Sequence, residues 1–297
     1  MDPAAEEWIG EHVSPVSAPE PVHLRPWADV WRVPTRRGLV WFKACRAVQR
    51  FEPRLTASLA ERWPGRVADV LAHDDAQGFL LLADAGRQLA ELGNPPELWL
   101  RVLPAYAELQ RGEAVHVDDH LRHGVPDLRS STVRRRFEEL LDRDLPIAAG
   151  ERLRLAEAAA DLERWCQQLV AAGIPDTVQH DDLHMTNVFT GPSGLRVLDW
   201  GDSSIGQPFG SLVVTFRFLE KRNGLDPRNP WFARLRDAYL EPWGPVGRET
   251  FDVAMKVGSV AHAVASLRQR DGLAAADRAD FDDDFAAVLR LALRRIN

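Results

Sequence analysis

The sequence predicts an α+β protein in two parts, a small antiparallel sheet with one helix followed by a large and mainly helical part. Two observations support this prediction. Short segments rich in β-branched and aromatic residues, separated by turn residues, follow one another between residues 22 and 82. After residue 86, apolar residues recur at helical spacing over most of the chain. In such an architecture each part buries its own apolar face.

The first part is predicted to run strand, strand, strand, helix, strand, strand. Residues 34–38 mark a hairpin turn between the second and third strands. The helix begins near Phe51, since Pro53 is tolerated in a first helical turn, and it stops at the Pro-Gly pair 64–65. A short helix over residues 6–12 precedes the strands. The predicted strands cover residues 22–24, 30–33, 39–43, 67–71 and 79–82.

The second part is predicted to be helical except around one central hairpin. There, short strands near residues 188–189 and 196–198 flank the turn Gly-Pro-Ser-Gly at 191–194. We expect an N-terminal lobe of residues 1–86, a C-terminal lobe of residues 87–297, and a cleft between them. The predicted helices cover residues 96–112, 131–144, 149–172, 208–222, 231–240, 250–269 and 275–295.

Composition narrows the class of protein. The chain has 297 residues, of which 45% are hydrophobic and 27% charged, as in an ordinary globular protein. It has no apolar run of about 18 residues, and its N-terminus is acidic, unlike a signal peptide. These features predict a cytoplasmic protein that does not enter a membrane. The two cysteines, Cys45 and Cys166, are too few for a disulfide framework.

The net charge of −7 indicates which kinds of molecule the protein binds. It argues against nucleic acid, because phosphate backbones recruit clustered Lys and Arg. An acidic protein attracts cationic small molecules, although the same charge also serves solubility alone. Nothing in the sequence requires more than a monomer.

Two motifs lie close together in the centre of the chain. His180, Asp182 and Asn187 form His-x-Asp-x-x-x-x-Asn, and Asp-Trp-Gly follows at 199–201. Enzymes that transfer phosphoryl groups use such motifs to hold a phosphate donor, a metal and an acceptor hydroxyl. Asp182 is predicted to accept the proton of the acceptor hydroxyl. A polar loop with helix caps is the alternative interpretation.

The same motifs supply metal ligands and supporting residues. Asn187 and Asp199 offer an amide and a carboxylate oxygen, hard ligands that suit Mg²⁺. Gly201 is predicted to let the backbone turn sharply behind Asp199. His180 is predicted to brace the loop by bonding to the backbone near the Asp199 turn.

Lys43 is the candidate for gripping the donor phosphates. It follows the apolar residues 39–42, so it either lies along a sheet edge with its amine in water or points into a charged site. Its expected partner is Glu52 on the next helix, with Glu61 as the alternative. Pro53 biases Glu52 toward a helix cap.

Two phosphate-binding signatures are absent from the sequence. The chain has no Gly-x-x-x-x-Gly-Lys-Ser/Thr and no Gly-x-Gly-x-x-Gly. The first absence excludes a P-loop. The second leaves the loop that covers the donor phosphates unassigned.

With these residues the sequence resembles the aminoglycoside phosphotransferase family, which is related to kinase-like proteins such as choline kinases. The family's run His-Gly-Asp-Leu-His-x-x-Asn corresponds to residues 180–187, and its metal turn corresponds to residues 197–202. The resemblance implies a two-lobed protein-kinase-like fold, with nucleotide bound by the N-terminal lobe and acceptor by the C-terminal lobe. It matches Lys43 and Glu52 to the phosphate-gripping pair and His184 to the loop support, and it places Ala83 and Asp84 in the adenine-binding linker.

The sequence departs from the family pattern in two places. Asp181 replaces the usual Gly, which puts two acids side by side, and the spacing to Asn187 favours Asp182 as the base. The family's later Gly-x-Pro-x-x-Asp-Leu is found at 206–212 with Ser211 at the Asp position. The loop after Asp202 is therefore expected to be braced differently.

The resemblance implies Mg²⁺-dependent transfer of phosphate from ATP or GTP to a hydroxyl of a small molecule, such as an aminoglycoside or an amino sugar. Asp202 is a candidate for contact with a substrate ammonium or hydroxyl, or else it caps the helix that starts at Pro208. The acidic residues 280–284 line the cleft or form a solvated helix N-terminus. Antibiotic resistance is an inference from the family alone. The alternatives are a nucleotide-binding regulator without catalysis and a housekeeping kinase of sugars, amino alcohols or amino acids.

Overall fold

The structure is a computed structural model that describes residues 1–191 and 194–296. Its strands are β1 (Glu20–Leu24), β2 (Ala28–Thr35), β3 (Gly38–Cys45), β4 (Val70–Asp74), β5 (Phe79–Ala83), β6 (Arg87–Gln88), β7 (Asp127–Leu128), β8 (Thr177–Gln179), β9 (Val188–Gly191), β10 (Gly194–Val197) and β11 (Ser204–Gly206). Its helices are α1 (Pro3–His12), α2 (Glu52–Arg62), α3 (Pro96–Glu113), α4 (Val117–Arg122), α5 (Val133–Leu141), α6 (Ala149–Ala171), α7 (Leu212–Asn223), α8 (Pro230–Leu240), α9 (Arg248–Asp271) and α10 (Ala275–Ile296).

The chain divides into two compact units. The first unit combines Met1–Gly93 with Met185–Gly201, and the second combines Asn94–His184 with the described residues from Asp202 onward. The central hairpin thus belongs to the same unit as the N-terminal strands. The division predicted from the sequence, with one boundary after residue 86, stays a prediction about functional lobes.

The first unit is built on an antiparallel sheet with the strand order β1-β2-β3-β5-β4. The predicted succession of three strands, a helix and two strands is confirmed. Trp8 of α1 covers one face of the sheet, with its ring centroid 5.5 Å from that of Phe79, and Phe42 lies 5.2 Å from Phe79. These aromatic side chains are buried, so the face contributes most of its stability through apolar burial. One predicted boundary is wrong: β4 begins at Val70 rather than at residue 67.

The central hairpin forms a second, smaller sheet in the first unit, with the order β10-β9-β6. Its two main strands pair antiparallel from Val188 opposite Val197 to Gly191 opposite Gly194, as the sequence predicted. The turn residues Pro192 and Ser193 lie outside the described residues. Residues 187 and 198 lie side by side at the open end of the hairpin, where the backbone N–H of Leu198 donates to the carbonyl of Asn187 at 2.9 Å.

The second unit consists mainly of the predicted helices, with α9 packed against α6 and α10. One prediction needs correction: the helix predicted for 208–222 is a 3-10 turn over Pro208–Ser211 followed by α7. Gln207 caps that turn by accepting from the N–H of Gly210 at 2.9 Å, so the alternative role of Asp202 as this cap is wrong. Among the described helices, none combines the length and the apolar character that a membrane crossing requires.

A small sheet that the sequence did not predict lies at the centre of the second unit. β11 pairs antiparallel with β8 and parallel with β7, so that Ile205 lies opposite both Val178 and Asp127. Strands of two or three residues are too short to leave a hydrophobic pattern. Their pairing fixes where residue 180 leaves β8 and where residue 203 enters β11.

Uncharged hydrogen bonds brace the loop at the position where the family carries a carboxylate. Ser211 Oγ donates to Gln179 Oε1 at 2.6 Å and lies 2.8 Å from the hydroxyl of Tyr106. Gln110 Nε2 donates to the carbonyl of Val178 at 2.9 Å. Buried polar groups are costly unless they are paired, so breaking any one of these hydrogen bonds would be unfavourable. The network therefore holds β8 in place without a buried charge. The expectation that the loop after Asp202 is braced differently stays a prediction.

Two glycines allow α9 to approach the 3-10 turn. A Cβ added to Gly210 would lie 2.9 Å from the Cα of Gly258, and a Cβ added to Gly258 would overlap the Cα of Gly210. The obstacle on each side is backbone, which cannot rotate away. The contact between these two elements therefore depends on glycine at both positions.

We predict that Gly258→Ala lowers the free energy of unfolding by about 1–3 kcal/mol, the cost of forcing extra volume into a packed site. Gly150→Ala in α6 is the matched control, because a Cβ there meets nothing within 4 Å. Urea denaturation of both variants measures the difference. Equal stability of the two variants would contradict the proposed close contact.

Candidate active site

Lys43 forms the charged centre of the first unit. Its Nζ lies 2.6 Å from Glu52 Oε2 and 2.6 Å from Asp199 Oδ1. The side chain of Glu52 is 2% exposed, whereas that of Asp199 is 51% exposed. Burial alone would lower the pKa of Lys43, but the carboxylates of Asp199 and Glu52 outweigh burial and hold its pKa well above the usual value. Lys43 is therefore a fixed, nearly buried positive charge between a buried and a half-exposed carboxylate.

Lys43 lies on a central strand of the sheet and not at its edge. β3 lies between β2 and β5, and Lys43 pairs with Val30 and Leu80. A sheet-edge position for Lys43 is therefore excluded. Glu52 is the first residue of α2, with Phe51 in the N-cap position, whereas Glu61 is exposed. The predicted partner is the observed one, and Pro53 fits in the first turn as expected.

The turn at Asp199 differs from its prediction in one respect. Asp199 itself adopts a left-handed backbone with φ 64°, which is uncommon for a residue other than glycine. Gly201, predicted to supply the sharp turn, is not left-handed. It is needed for space instead, since an added Cβ would lie 2.5 Å from Cδ of the buried Gln49 side chain. Trp200 is fully buried, and its Nε1–H donates to the carbonyl of Val197 at 3.3 Å.

Asn187 and Asp199 fit a magnesium ion by their chemistry. Asn187 is buried, and its segment is tied to that of Asp199 through the backbone bond to Leu198. An amide oxygen and a half-exposed carboxylate are the hard donors that Mg²⁺ takes from a protein when phosphate and water complete its ligands. The metal role of both residues stays a prediction.

Ala83 and Asp84 lie where the sheet ends. Ala83 is the last residue of β5, and its N–H donates to the carbonyl of Asp69 at 2.9 Å. Asp84 Oδ1 accepts from the indole N–H of Trp41 at 3.0 Å. These contacts fix the start of the segment to which the sequence assigned the nucleotide base. That assignment stays a prediction.

The loop that carries the predicted base, Asp182, follows β8 in the second unit. His180 is fully buried; its backbone N–H donates to the hydroxyl of Tyr106 at 2.9 Å, and its Nδ1 accepts from the N–H of Asp182 at 3.3 Å. The side chain of Asp182 is 33% exposed, and its Oδ2 lies 3.0 Å from Nε2 of His184. The ring of His184 stacks on Phe218 at 4.2 Å. The two histidines thus hold the backbone and the carboxylate of Asp182.

Asp181 borders the same cavity as Asp182 but is hydrogen-bonded to β11. It is 8% exposed and accepts a hydrogen bond from Ser204 Oγ, and its backbone is left-handed with φ 58°. This conformation explains why the family has glycine here; aspartate is among the few other residues that accept it. Burial raises the pKa of Asp181 from 3.8 to about 6, against the hydrogen bond from Ser204 and the charge of Arg268. The choice of Asp182 rather than Asp181 as the base stays a prediction.

Asp202 is anchored by α9. Gln269 Nε2 donates to Asp202 Oδ1. Arg268 lies nearby; burial lowers its pKa, while Asp202 and Asp181 raise it. The sequence did not single out either α9 residue. A buried guanidinium between two acids offsets their repulsion.

These acids border a cavity of about 210 Å³ within the second unit. Its polar wall includes carboxylates from both motifs, and α7, α9 and α10 form the rest. Of the acidic residues at 280–284, Asp284 lines the cavity, whereas Asp282 pairs with Arg270. Since α10 begins at Ala275, this cluster is not a helix N-terminus. The acidic lining residues are Asp181, Asp182, Asp202 and Asp284.

Two further polar residues of the cavity were missed by sequence reasoning. Arg217 of α7 and His262 of α9 both line it. Arg217 carried a signal, because it interrupts the apolar run 212–218 much as Lys43 interrupts its strand. His262 carried none, since a lone histidine in a helix of small residues has no distinguishing pattern.

Comparison with known proteins identifies the relatives. The sequence profile of the phosphotransferase enzyme family matches residues 23–251. Among curated proteins, none matches the chain in sequence.

Solved structures resemble the chain over nearly its whole length. A choline kinase from Streptococcus pneumoniae has a TM-score of 0.66 at 14% identity, with 97% of each chain covered. A choline/ethanolamine kinase family protein from Mesorhizobium loti has a TM-score of 0.63 at 14% identity, with 98% of each chain covered. The GDP complex of aminoglycoside 2'-phosphotransferase-IIIa has a TM-score of 0.62 at 14% identity, with 97% of each chain covered. These likenesses show the protein-kinase-like fold that the resemblance implied.

We predict that Asp181→Asn removes a pH dependence of stability. Because the folded protein holds the Asp181 proton more tightly than the unfolded chain, this stability is present below about pH 4 and is lost as the pH rises through about 6. The variant mimics the protonated carboxyl at every pH. Its free energy of unfolding should exceed that of the wild type by on the order of 2 kcal/mol above pH 7 and match it near pH 4. Urea denaturation across this range measures the difference, and parallel curves would refute the assignment.

Proposed function

The chain belongs to the phosphotransferase enzyme family, and from that premise we propose that it transfers the γ-phosphoryl group of ATP or GTP to a hydroxyl of a small, amine-bearing molecule. The observation that carries this proposal is the setting of Asp182. Its carboxylate lines an acidic cavity, and Nε2 of His184 holds it at 3.0 Å. A general base needs this combination of access to the acceptor hydroxyl and a fixed orientation.

The acceptor reacts at Asp182. The hydroxyl proton passes to the carboxylate of Asp182 as the hydroxyl oxygen bonds to the γ-phosphorus. The bond from that phosphorus to the bridging oxygen breaks, which leaves ADP or GDP and a phosphate ester. Such transfer depends on positioning and charge neutralisation more than on covalent participation. The contact with His184 and the backbone bond to His180 supply that positioning.

The donor is assigned to the first unit. Lys43, oriented by Glu52, would grip the donor phosphates, and Asn187 with Asp199 would hold Mg²⁺. When bound, the metal neutralises charge on the phosphate oxygens. Ala83 and Asp84 would border the nucleotide base.

The cavity favours a small cationic acceptor. Its acidic lining and the net charge of −7 both attract an amine. Its volume of about 210 Å³ is below the range of about 300–1,000 Å³ common for drug-sized ligands. An amino sugar or amino alcohol therefore fits better than an aminoglycoside antibiotic with several rings. We place this activity in the cytoplasm, where nucleoside triphosphates are available.

A nucleotide-binding regulator without catalysis is the second candidate. It would need the Lys43 and Asp199 arrangement but would have no use for a supported carboxylate in an acceptor cavity. The contacts of Asp182 with His184 and of His184 with Phe218 therefore favour the enzyme.

We predict that Asp182→Asn lowers kcat by roughly 10²- to 10⁴-fold, the usual contribution of a general base, and leaves nucleotide affinity nearly unchanged. Mg²⁺-dependent ATP consumption, measured with amino alcohols, amino sugars and aminoglycosides, provides the readout. Asp283→Asn is the control, because Asp283 is an exposed acid of α10. If the Asp182 variant turns over as fast as the wild type, the proposed mechanism is wrong.

We predict that Lys43→Met abolishes measurable nucleotide binding and lowers the free energy of unfolding by about 3–5 kcal/mol, since it leaves Glu52 buried without a counter-ion. The double variant Lys43→Met, Glu52→Gln removes that unpaired charge. It should recover part of the stability but none of the affinity, as measured by urea denaturation and by calorimetric titration with ATP. Recovery of affinity in the double variant would show that Lys43 is structural.

A further inference from the structure

Arg217 brings a positive charge to the wall of the cavity. In the part of the chain that the structure describes, its guanidinium makes no hydrogen bond and no ion pair. It lies on α7, is partly buried, and lines the acceptor cavity. Burial lowers the pKa of Arg217, while the nearby carboxylates of Asp284 and Asp182 raise it. An arginine stays protonated even so, which leaves a positive charge facing the cavity.

The neighbours of Arg217 reinforce this charge. Lys221 lies one helical turn along α7, and its pKa is lowered chiefly by the charge of Arg217, then by burial and by Arg294. Arg217, Lys221 and Arg294 lie close enough to repel one another, which is unfavourable in the absence of a bound anion. By contrast, Arg268 lies beside Asp202 and Asp181. Arg217 thus lies near two other cations as well as near Asp284 and Asp182.

His262 adds a second polar atom. Its Nε2 is buried and has no hydrogen-bond partner among the described residues, and the residue lines the same cavity. Burial lowers the pKa of His262 to about 4, with Arg217 contributing and Asp182 opposing. The imidazole is therefore neutral near pH 7, able to donate or accept one hydrogen bond. A buried polar atom left unpaired costs about 1–3 kcal/mol, which a ligand atom would offset.

We propose that the acceptor carries an oxyanion, a carboxylate or a phosphate ester, in addition to its hydroxyl, and that Arg217 binds this group with His262 beside it. The inference rests on the proposed function, because it concerns the same cavity. A guanidinium presents donors in a planar fork that matches both kinds of oxyanion. Combined with the acidic wall, the cavity then selects a hydroxy compound that carries both an amine and an anion.

A different role for Arg217 would be to offset the acids of the cavity and thereby support Asp182. The charges of Asp284 and Asp182 do act on Arg217, so experiment has to separate the two roles. Charge balance predicts that loss of Arg217 changes kcat for every acceptor alike. Oxyanion binding predicts a change in affinity confined to acceptors that carry the anion.

The test compares matched compounds on the full chain. Ethanolamine and serine differ by a single carboxylate and form the matched pair. Glucosamine 6-phosphate keeps the ring of glucosamine and carries a phosphate ester at one hydroxyl, and glucosaminic acid carries a carboxylate on an open chain. Calorimetric titration without nucleotide measures binding, and ATP consumption measures turnover. The variant is Arg217→Gln. Arg222→Gln is the control, since Arg222 is an exposed arginine of the same helix.

The expected result is that an oxyanion-bearing compound binds roughly 10- to 100-fold more tightly than its parent, the gain from hydrogen bonds to a charged group. Arg217→Gln should abolish that advantage and Arg222→Gln should preserve it. The acid and phosphate arms show which oxyanion is preferred. Unchanged melting temperature of Arg217→Gln shows that folding is intact, as expected for a side chain without protein bonds.

Three outcomes would overturn the inference: no oxyanion-bearing compound binds more tightly than its parent, the advantage survives in Arg217→Gln, or that variant lowers kcat equally for all acceptors. The same experiments test the proposed function independently. If oxyanion-bearing compounds bind more tightly through Arg217 but no compound is phosphorylated, oxyanion binding is supported and the enzymatic function is rejected. If glucosamine or ethanolamine is phosphorylated and an added oxyanion changes neither affinity nor turnover, the enzymatic function is supported and oxyanion binding is rejected.

Discussion

The charge of one buried lysine organises the first unit. Lys43 lies on a central strand between the carboxylates of Glu52 and Asp199, each at 2.6 Å. Taking such charges out of water costs several kcal/mol per ion, which only short and well-aligned contacts offset. The strand β3, the first turn of α2 and the turn after the hairpin must therefore hold fixed positions. The left-handed backbone of Asp199 is the local strain that this arrangement accepts.

In the second unit, uncharged hydrogen bonds rather than buried ion pairs support the loop that carries Asp182. Tyr106, Gln110, Gln179 and Ser211 hold β8 and the start of the loop through uncharged hydrogen bonds, nearly all of them buried. Ser211 takes the place of a carboxylate without leaving a gap in the network. Rigid support of this kind keeps His180 in place and leaves the Asp182 carboxylate directed at the cavity.

The cavity is lined by four acidic side chains and by the guanidinium of Arg217. Asp181 bonds inward to Ser204, and Asp202 is bonded to Gln269, with Arg268 close to both acids. Asp182 retains an exposed carboxylate surface, and Arg217 retains its donors for a ligand. The arrangement is consistent with the proposed acceptor, which carries both an amine and an oxyanion.

Sequence by itself determined the succession of strands and helices and the spacing of Asp182, Asn187 and Asp199, because these depend on local periodicity and on residues close along the chain. It also identified Lys43 and Glu52 as a pair. Only the tertiary structure decided that Asp199, not Gly201, makes the left-handed turn, and that Arg217 and His262 meet in one cavity. The reason is physical. Which face of a helix borders a cavity depends on how distant helices pack, and that packing leaves no short-range pattern in the sequence.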